Sequence, residues 1–149
     1  MFQRILVPLD GSAHAERALP LAARIARASR GSVTLLHVVT HPIEAAAYFM
    51  QPPDETEHTL NARHTKAADY LTALARSDAF AGVVTAPEVA DSMPAQTILS
   101  VARLQSVDLI VMTSHGARGF QHWALGSVAQ KVARHLLEQN LSGVPVKQH

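Results

Sequence analysis

The chain contains no cysteine. This absence excludes disulfide bonds, thiolate catalysis and cysteine-ligated zinc, and it fits a reducing compartment. Charge is also scarce: charged residues make up 17% of the chain and the formal net charge is +1, which argues against a nucleic-acid partner. No apolar run approaches the roughly 18 residues of a membrane span, and the run at 5–9 is too short for the core of a signal peptide. We therefore expect a cytoplasmic protein with no membrane partner.

The hydrophobic content and its pattern along the chain predict a single α/β domain over residues 1–149. The 149 residues are 48% hydrophobic, which is enough for one buried core. Short apolar runs alternate with stretches of helical periodicity, and this alternation predicts a parallel sheet with helices on both faces. The predicted strands are 5–9, 33–39, 82–89, 108–112 and 144–146. The predicted helices are 13–29, 54–79 and 127–137, and one more begins at Pro94.

Two predicted strand ends have the residues of a binding site. In open parallel sheets, ligands bind beyond the carboxyl ends of the strands, where the strand order reverses. The first strand runs into Asp10 and Ser12. Asp10 is either a turn or cap residue, which is the more common role, or the carboxylate that accepts a hydrogen bond from a ribose hydroxyl. The second role gains weight if the first and fourth strands are neighbours.

The loop after the fourth strand is rich in glycine and basic in character. Gly116, Gly119 and Gly126 give the backbone freedom to approach a ligand, and no acidic residue occurs from 113 to 135. Gly126 precedes the last predicted helix, whose free N–H groups suit a phosphate, and Ser127 is expected as its N-cap. Taken alone, these features leave the choice between a phosphate site and an ordinary capped helix open, because Gly-x-x-Gly is a weak signal.

The histidines do not indicate a metal site. The chain has nine of them, but His37 and His41 fall at a strand end, where helical spacing does not apply. His58 and His64 are six residues apart, which is poor spacing for one helix face. We therefore expect no bound metal.

Four segments together resemble the universal stress protein family, over nearly the whole chain. They are the opening at 5–12, the second strand at 35–38, the fourth strand with its loop at 108–116, and the start of the last helix at 125–129. The family's ATP-binding pattern is Gly-x-x-Gly, nine residues, then Gly-Ser or Gly-Thr. Gly116, Gly126 and Ser127 match it, whereas Thr113 stands where the pattern has its first glycine.

The resemblance implies a fold and a set of ligand-binding residues. The fold is a single doubly wound, five-stranded parallel sheet in the order 3-2-1-4-5. Asp10 would bind the nucleoside, the backbone at Val38 would face the adenine, and the loop and last helix would hold the phosphates. The implied site consists of Pro8, Leu9, Asp10, Val38, Met112, His115, Gly116, Arg118, Gly119, Gly126, Ser127 and Val128.

The resemblance also implies a function. It predicts a stress-response regulator that binds ATP, or ADP or AMP, with Mg²⁺ as an optional companion of the phosphates. The nucleotide is expected to act as a ligand. We expect no enzyme, because no second acidic cluster or nucleophile–base pair accompanies the loop, although slow ATP hydrolysis or autophosphorylation stays open. Family members commonly dimerise through a long apolar fifth strand, so a homodimer is implied, although 144–146 is short. The alternative is a nucleotide-free interaction module that acts through protein partners.

Overall fold

The centre of the sheet is β1 (Arg4–Leu9), which lies between two parallel neighbours. The structure is a computed structural model that describes residues 2–39, 57–113, 125–138 and 146–148. On one side of β1 lies β2 (Ser32–Val39), followed by β3 (Val84–Asp91), and on the other side lies β4 (Leu109–Met112). The strands β1 and β4 consist almost entirely of buried apolar residues, as expected for parallel strands that are covered on both faces. The predicted α/β class and the order 3-2-1-4 are confirmed.

The predicted fifth strand is reduced to a short edge segment. Next to β4, the three residues of β5 (Val146–Gln148) pair in parallel with Ile110, Val111 and Met112. Within the described residues, the prediction of a full five-stranded sheet is therefore corrected to four strands of four to eight residues with this short addition. The physical reason is composition, because two of its three residues are polar and leave little apolar surface to bury.

The edge strand β3 is more exposed than the inner strands and contains a proline. Its ladder to β2 is continuous from Val84 to Asp91, and Pro87 pairs in register with Leu35. A proline has no N–H to donate, so an unbroken ladder requires its nitrogen to face away from β2.

In the part of the chain that the structure describes, four α-helices cover the sheet: α1 (Leu19–Ser29), α2 (Glu57–Ala75), α3 (Pro94–Leu104) and α4 (Leu125–Glu138). Right-handed crossovers place α1 and α2 on one face and α3 and α4 on the other. The contacts agree, because α2 packs on β2 and β3 while α3 packs against α4. Among the helices of these ranges, none is long and apolar enough to cross a membrane.

The first predicted helix is divided into two pieces. After β1 the chain makes a 3-10 turn at Ala15–Ala18, and α1 then begins at Leu19. Pro20 therefore lies in the first turn of α1, where the missing N–H costs nothing, whereas the predicted helix 13–29 would have Pro20 in its interior.

The attachment of α2 to the sheet can be tested with a matched pair of leucines. Leu71 on α2 is 0% exposed within the core, whereas Leu104 at the end of α3 is 85% exposed. We expect Leu71→Ala to lower the free energy of unfolding by about 2–5 kcal/mol through loss of buried surface and the cavity left behind. The same change at Leu104 is expected to shift it by no more than about 0.5 kcal/mol. Urea unfolding of both variants measures this, and equal losses would contradict the placement of α2.

Candidate functional site

The candidate site lies where β1 and β4 separate toward their carboxyl ends. The two strands pair at Ile5–Leu109 and Leu6–Ile110 near their starts, whereas β1 pairs with β2 along its whole length. The chain leaves β1 in one direction and β4 in the other, so this is the point at which the strand order reverses and ligands bind in such sheets. Asp10 and Thr113 each follow one of these neighbouring strands. The condition that favoured a binding role for Asp10 is thus met.

One oxygen of the Asp10 carboxylate belongs to the turn after β1. Asp10 is only 6% exposed, and its Oδ1 accepts hydrogen bonds from the Ser12 N–H at 2.9 Å and the Ser12 hydroxyl at 2.5 Å. Ser12 Oγ in turn accepts a bond at 3.1 Å from the N–H of Ala15, the first residue of the following 3-10 turn. The turn role predicted for Asp10 is therefore present, and it occupies Oδ1.

The other oxygen, Asp10 Oδ2, is buried and has no hydrogen-bond partner in the part of the chain that the structure describes. Thr113 Oγ1 is likewise buried and unpaired in that part of the chain, and Thr113 is 1% exposed. Buried polar groups are nearly always paired, because leaving one unpaired costs about 1–3 kcal/mol. Two unpaired atoms that follow adjacent strands mark a place where a polar ligand group or an ordered water is needed.

A histidine and a tyrosine form the wall of the site on the α2 side. The His37 Nδ1–H donates to the Leu9 carbonyl oxygen at 2.9 Å, and the ring of Tyr70 stands edge-on to His37 with centroids 6.5 Å apart. The Tyr70 hydroxyl is buried and has no partner among residues 2–39, 57–113, 125–138 and 146–148. Burial, together with the nearby Glu16 and Asp10 carboxylates, raises the pKa of Tyr70 well above its ordinary value. Its hydroxyl is therefore a protonated donor.

Sequence reasoning did not single out Tyr70, whose buried hydroxyl is unpaired among the described residues. Its position beside the buried Leu71 indicates only that α2 packs on the sheet there. The single available signal was a tyrosine, which usually finds a hydrogen-bond partner when buried, next to a core position. No pattern in the sequence connects it with a residue 60 positions earlier, such as Asp10.

The other predicted site residues divide into three groups. The first group consists of buried apolar residues. Four lie at the ends of strands and one lies on α4: Pro8, Leu9, Val38, Met112 and Val128. Those of the loop lie outside the described residues: His115, Gly116, Arg118 and Gly119. The remaining two, Gly126 and Ser127, lie in the first turn of α4.

The last pair requires a correction. Because α4 begins at Leu125, Gly126 does not precede the helix and Ser127 is not its N-cap, as the sequence suggested. Apolar Leu125 and the glycine enter the helix because α4 has a strongly amphipathic sequence whose buried stripe includes Val128 and Val132. Backbone N–H groups of a first turn have no partner within the helix, so this end still offers donors.

No metal centre is evident in the described ranges. They contain no group of three or more histidine and acidic side chains that could hold an ion. His64 is not part of such a group. Its ring forms a 2.5 Å hydrogen bond to Asp91 at the end of β3.

Comparison with known proteins identifies the family. A family model described as the universal stress protein family matches residues 1–136. The chain belongs to this family. A universal stress protein from Thermus aquaticus is 33% identical over 138 residues, which cover 89% of this chain and 91% of the relative. Universal stress protein YxiE from Bacillus subtilis is 29% identical over 138 residues, 90% of this chain and 93% of that one.

Solved structures have the same fold. Hypothetical protein MJ0577 superposes with a TM-score of 0.74 at 25% identity and covers 100% of this chain and 97% of its own. Two more distant structures were solved with nucleotides. A universal stress protein in complex with cAMP has a TM-score of 0.58 at 23% identity, over 99% of this chain and 97% of that one. One from Archaeoglobus fulgidus in complex with dAMP has 0.57 at 21% identity, with the same coverage.

The unpaired hydroxyl of Thr113 leads to a prediction about stability. Thr113→Val keeps the shape of the side chain and removes an unsatisfied polar atom, so without ligand the free energy of unfolding should stay unchanged or rise. Thr85 is the matched control, because its hydroxyl donates to the Val83 carbonyl oxygen at 3.1 Å. Thr85→Val should lose about 0.5–1.5 kcal/mol. Chemical denaturation compares the two, and a loss at position 113 that equals or exceeds that at 85 would show that Thr113 Oγ1 has a partner in the free protein.

Proposed function

We propose that this chain is a stress-response regulatory protein that binds ATP, with ADP or AMP as alternative ligands, at the carboxyl ends of β1 and β4. The observation that carries the proposal is the buried, unpaired Asp10 Oδ2 at the reversal of strand order. The nucleotide acts as a ligand that biases conformation or partner choice and not as the substrate of a fast reaction.

The chemistry of Asp10 supports a nucleoside at this end of the site. A carboxylate oxygen accepts hydrogen bonds and repels phosphate, so the group that it binds must be a donor such as a ribose hydroxyl. The first turn of α4, with Gly126 and Ser127, offers free N–H groups and a partial positive charge, both of which suit phosphate. This assigns the ribose to Asp10 and the phosphates, with any Mg²⁺, to α4 and the loop before it.

The comparisons support the ligand class. Proteins of the same fold were solved with cAMP and with dAMP, which share adenine, a sugar and one phosphate. Gly116 matches the family pattern, and the family resemblance implies Arg118 as a further phosphate-binding residue, so both belong to the proposal. A cytoplasmic location and a homodimer complete the proposal, on the basis of the composition and the family resemblance.

A nucleotide-free interaction module is the second candidate. It is favoured by Thr113, a fully buried side chain where the ATP-binding pattern has glycine, and by the short β5. If this candidate is correct, calorimetry with ATP at millimolar concentration will give no binding heat. The first proposal instead expects saturable binding with a dissociation constant of about 1 μM, or about 8 kcal/mol.

Asp10→Asn tests the assigned role of the carboxylate. The amide oxygen can keep both bonds from Ser12, while the accepting Oδ2 becomes a donating NH₂. We expect the affinities for ATP and for adenosine to fall alike, by about 1.5–3 kcal/mol or at least about tenfold, because the lost bond is to the nucleoside. Calorimetric titration of both ligands measures the change.

Asp108→Asn is the matched control. Asp108 accepts from the Gln3 N–H at 2.8 Å and the Arg4 N–H at 3.1 Å, at the opposite end of β1. This variant should lose stability and keep its ATP affinity. Unchanged adenosine and ATP binding in Asp10→Asn would reduce Asp10 to a turn residue.

A further inference from the structure

Two buried polar atoms of opposite kind lie unpaired on the same side of the site. The Tyr70 hydroxyl is a donor, Asp10 Oδ2 is an acceptor, and neither finds a partner in the chain as far as it is described. They do not bond to each other, although each would satisfy the other. An unpaired donor within electrostatic reach of an unpaired acceptor is an arrangement that a third group able to bond to both would complete.

The connection between the two residues runs through His37. Its ring is fixed by the bond to the Leu9 carbonyl oxygen, one residue before Asp10, and Tyr70 packs edge-on against that ring. Tyr70 is also close enough to Asp10, and to Glu16 in the 3-10 turn, for both carboxylates to disfavour loss of its proton. Its hydroxyl thus belongs to the surroundings of Asp10 even though α2 and β1 are far apart in sequence.

The pair selects the chemistry of the group between them. That group must accept a hydrogen bond from Tyr70 and donate one to Asp10 Oδ2. A phosphate oxygen cannot donate and is repelled by the carboxylate, and an ammonium group cannot accept. A hydroxyl does both, as do a water molecule and the edge of adenine, whose amino group donates and whose ring nitrogens accept.

We propose that Tyr70 is a ligand-binding residue whose hydroxyl donates to a sugar hydroxyl of the nucleotide, while that hydroxyl donates to Asp10 Oδ2. This inference rests on the proposed function and narrows its ligand to nucleotides with a free sugar hydroxyl. Tyr70 thereby contributes to specificity from α2, an element outside the strand ends and the glycine loop.

The test combines Tyr70→Phe with ATP and 2′,3′-dideoxy-ATP. The phenylalanine ring keeps the contact with His37 and removes only the hydroxyl. We expect the wild-type protein to bind ATP more tightly than the dideoxy analogue. Tyr70→Phe should weaken ATP binding about three- to tenfold, the value of one neutral hydrogen bond, and leave binding of the analogue unchanged. Repeating the titration with 2′-deoxy-ATP and 3′-deoxy-ATP identifies the hydroxyl concerned.

The outcomes separate this inference from the proposed function. One outcome is that wild-type protein binds ATP, Asp10→Asn weakens this binding, and Tyr70→Phe lowers the affinities for ATP and the dideoxy analogue equally or changes neither. This outcome overturns the role of Tyr70, and a buried water or packing then accounts for the unpaired hydroxyl. If wild-type protein binds neither ligand, the proposed function itself fails, and the role of Tyr70 with it. Urea unfolding of Tyr70→Phe without ligand confirms that the variant is folded, and its stability should be unchanged or raised.

Discussion

The structure depends on the burial of β1 between β2 and β4. Five of its six residues are buried, and parallel strands join it on both edges, so every other element is placed relative to it. The α1 and α2 crossovers lead away on one side, and α3 must cross back over the sheet to reach β4 on the other. This crossing is what reverses the strand order next to β1. The site at the end of β1 is therefore a direct result of the topology and does not need a separate pocket-forming element.

The carboxylate of Asp10 serves the fold with one oxygen and, under the proposed function, leaves the other for the ligand. Its Oδ1 accepts two bonds from Ser12 and holds the turn, so the side chain cannot rotate toward solvent. This fixed position leaves Oδ2 buried and aimed away from the turn bonds. Preorganisation of this kind lowers the entropy lost on binding, because the side chain is already immobilised in the free protein.

The sequence predicted the strands because each inner strand is a continuous apolar run between turn residues. Their alternation with helices predicted a parallel sheet, and the family resemblance implied the strand order. The sequence predicted Asp10 because the residue directly follows such a run. It was wrong about Pro20 and the start of α4, since helix boundaries depend on which residues find partners after packing. Tyr70 and the unpaired Thr113 hydroxyl were beyond its reach for another reason. Whether a buried oxygen has a partner is a property of three-dimensional neighbours, and periodicity contains no information on it.

The proline in β3 has a consequence for how copies of this chain meet. An exposed edge strand offers a row of free N–H and C=O groups on which another strand can grow, and this is a common start of aggregation. Pro87 removes a donor midway along that outer edge, while the ladder to β2 stays intact. At the other edge, β5 offers three residues, too few for a stable new ladder. Among the described residues, both borders of the sheet thus offer little to an added strand, which disfavours edge-to-edge polymerisation.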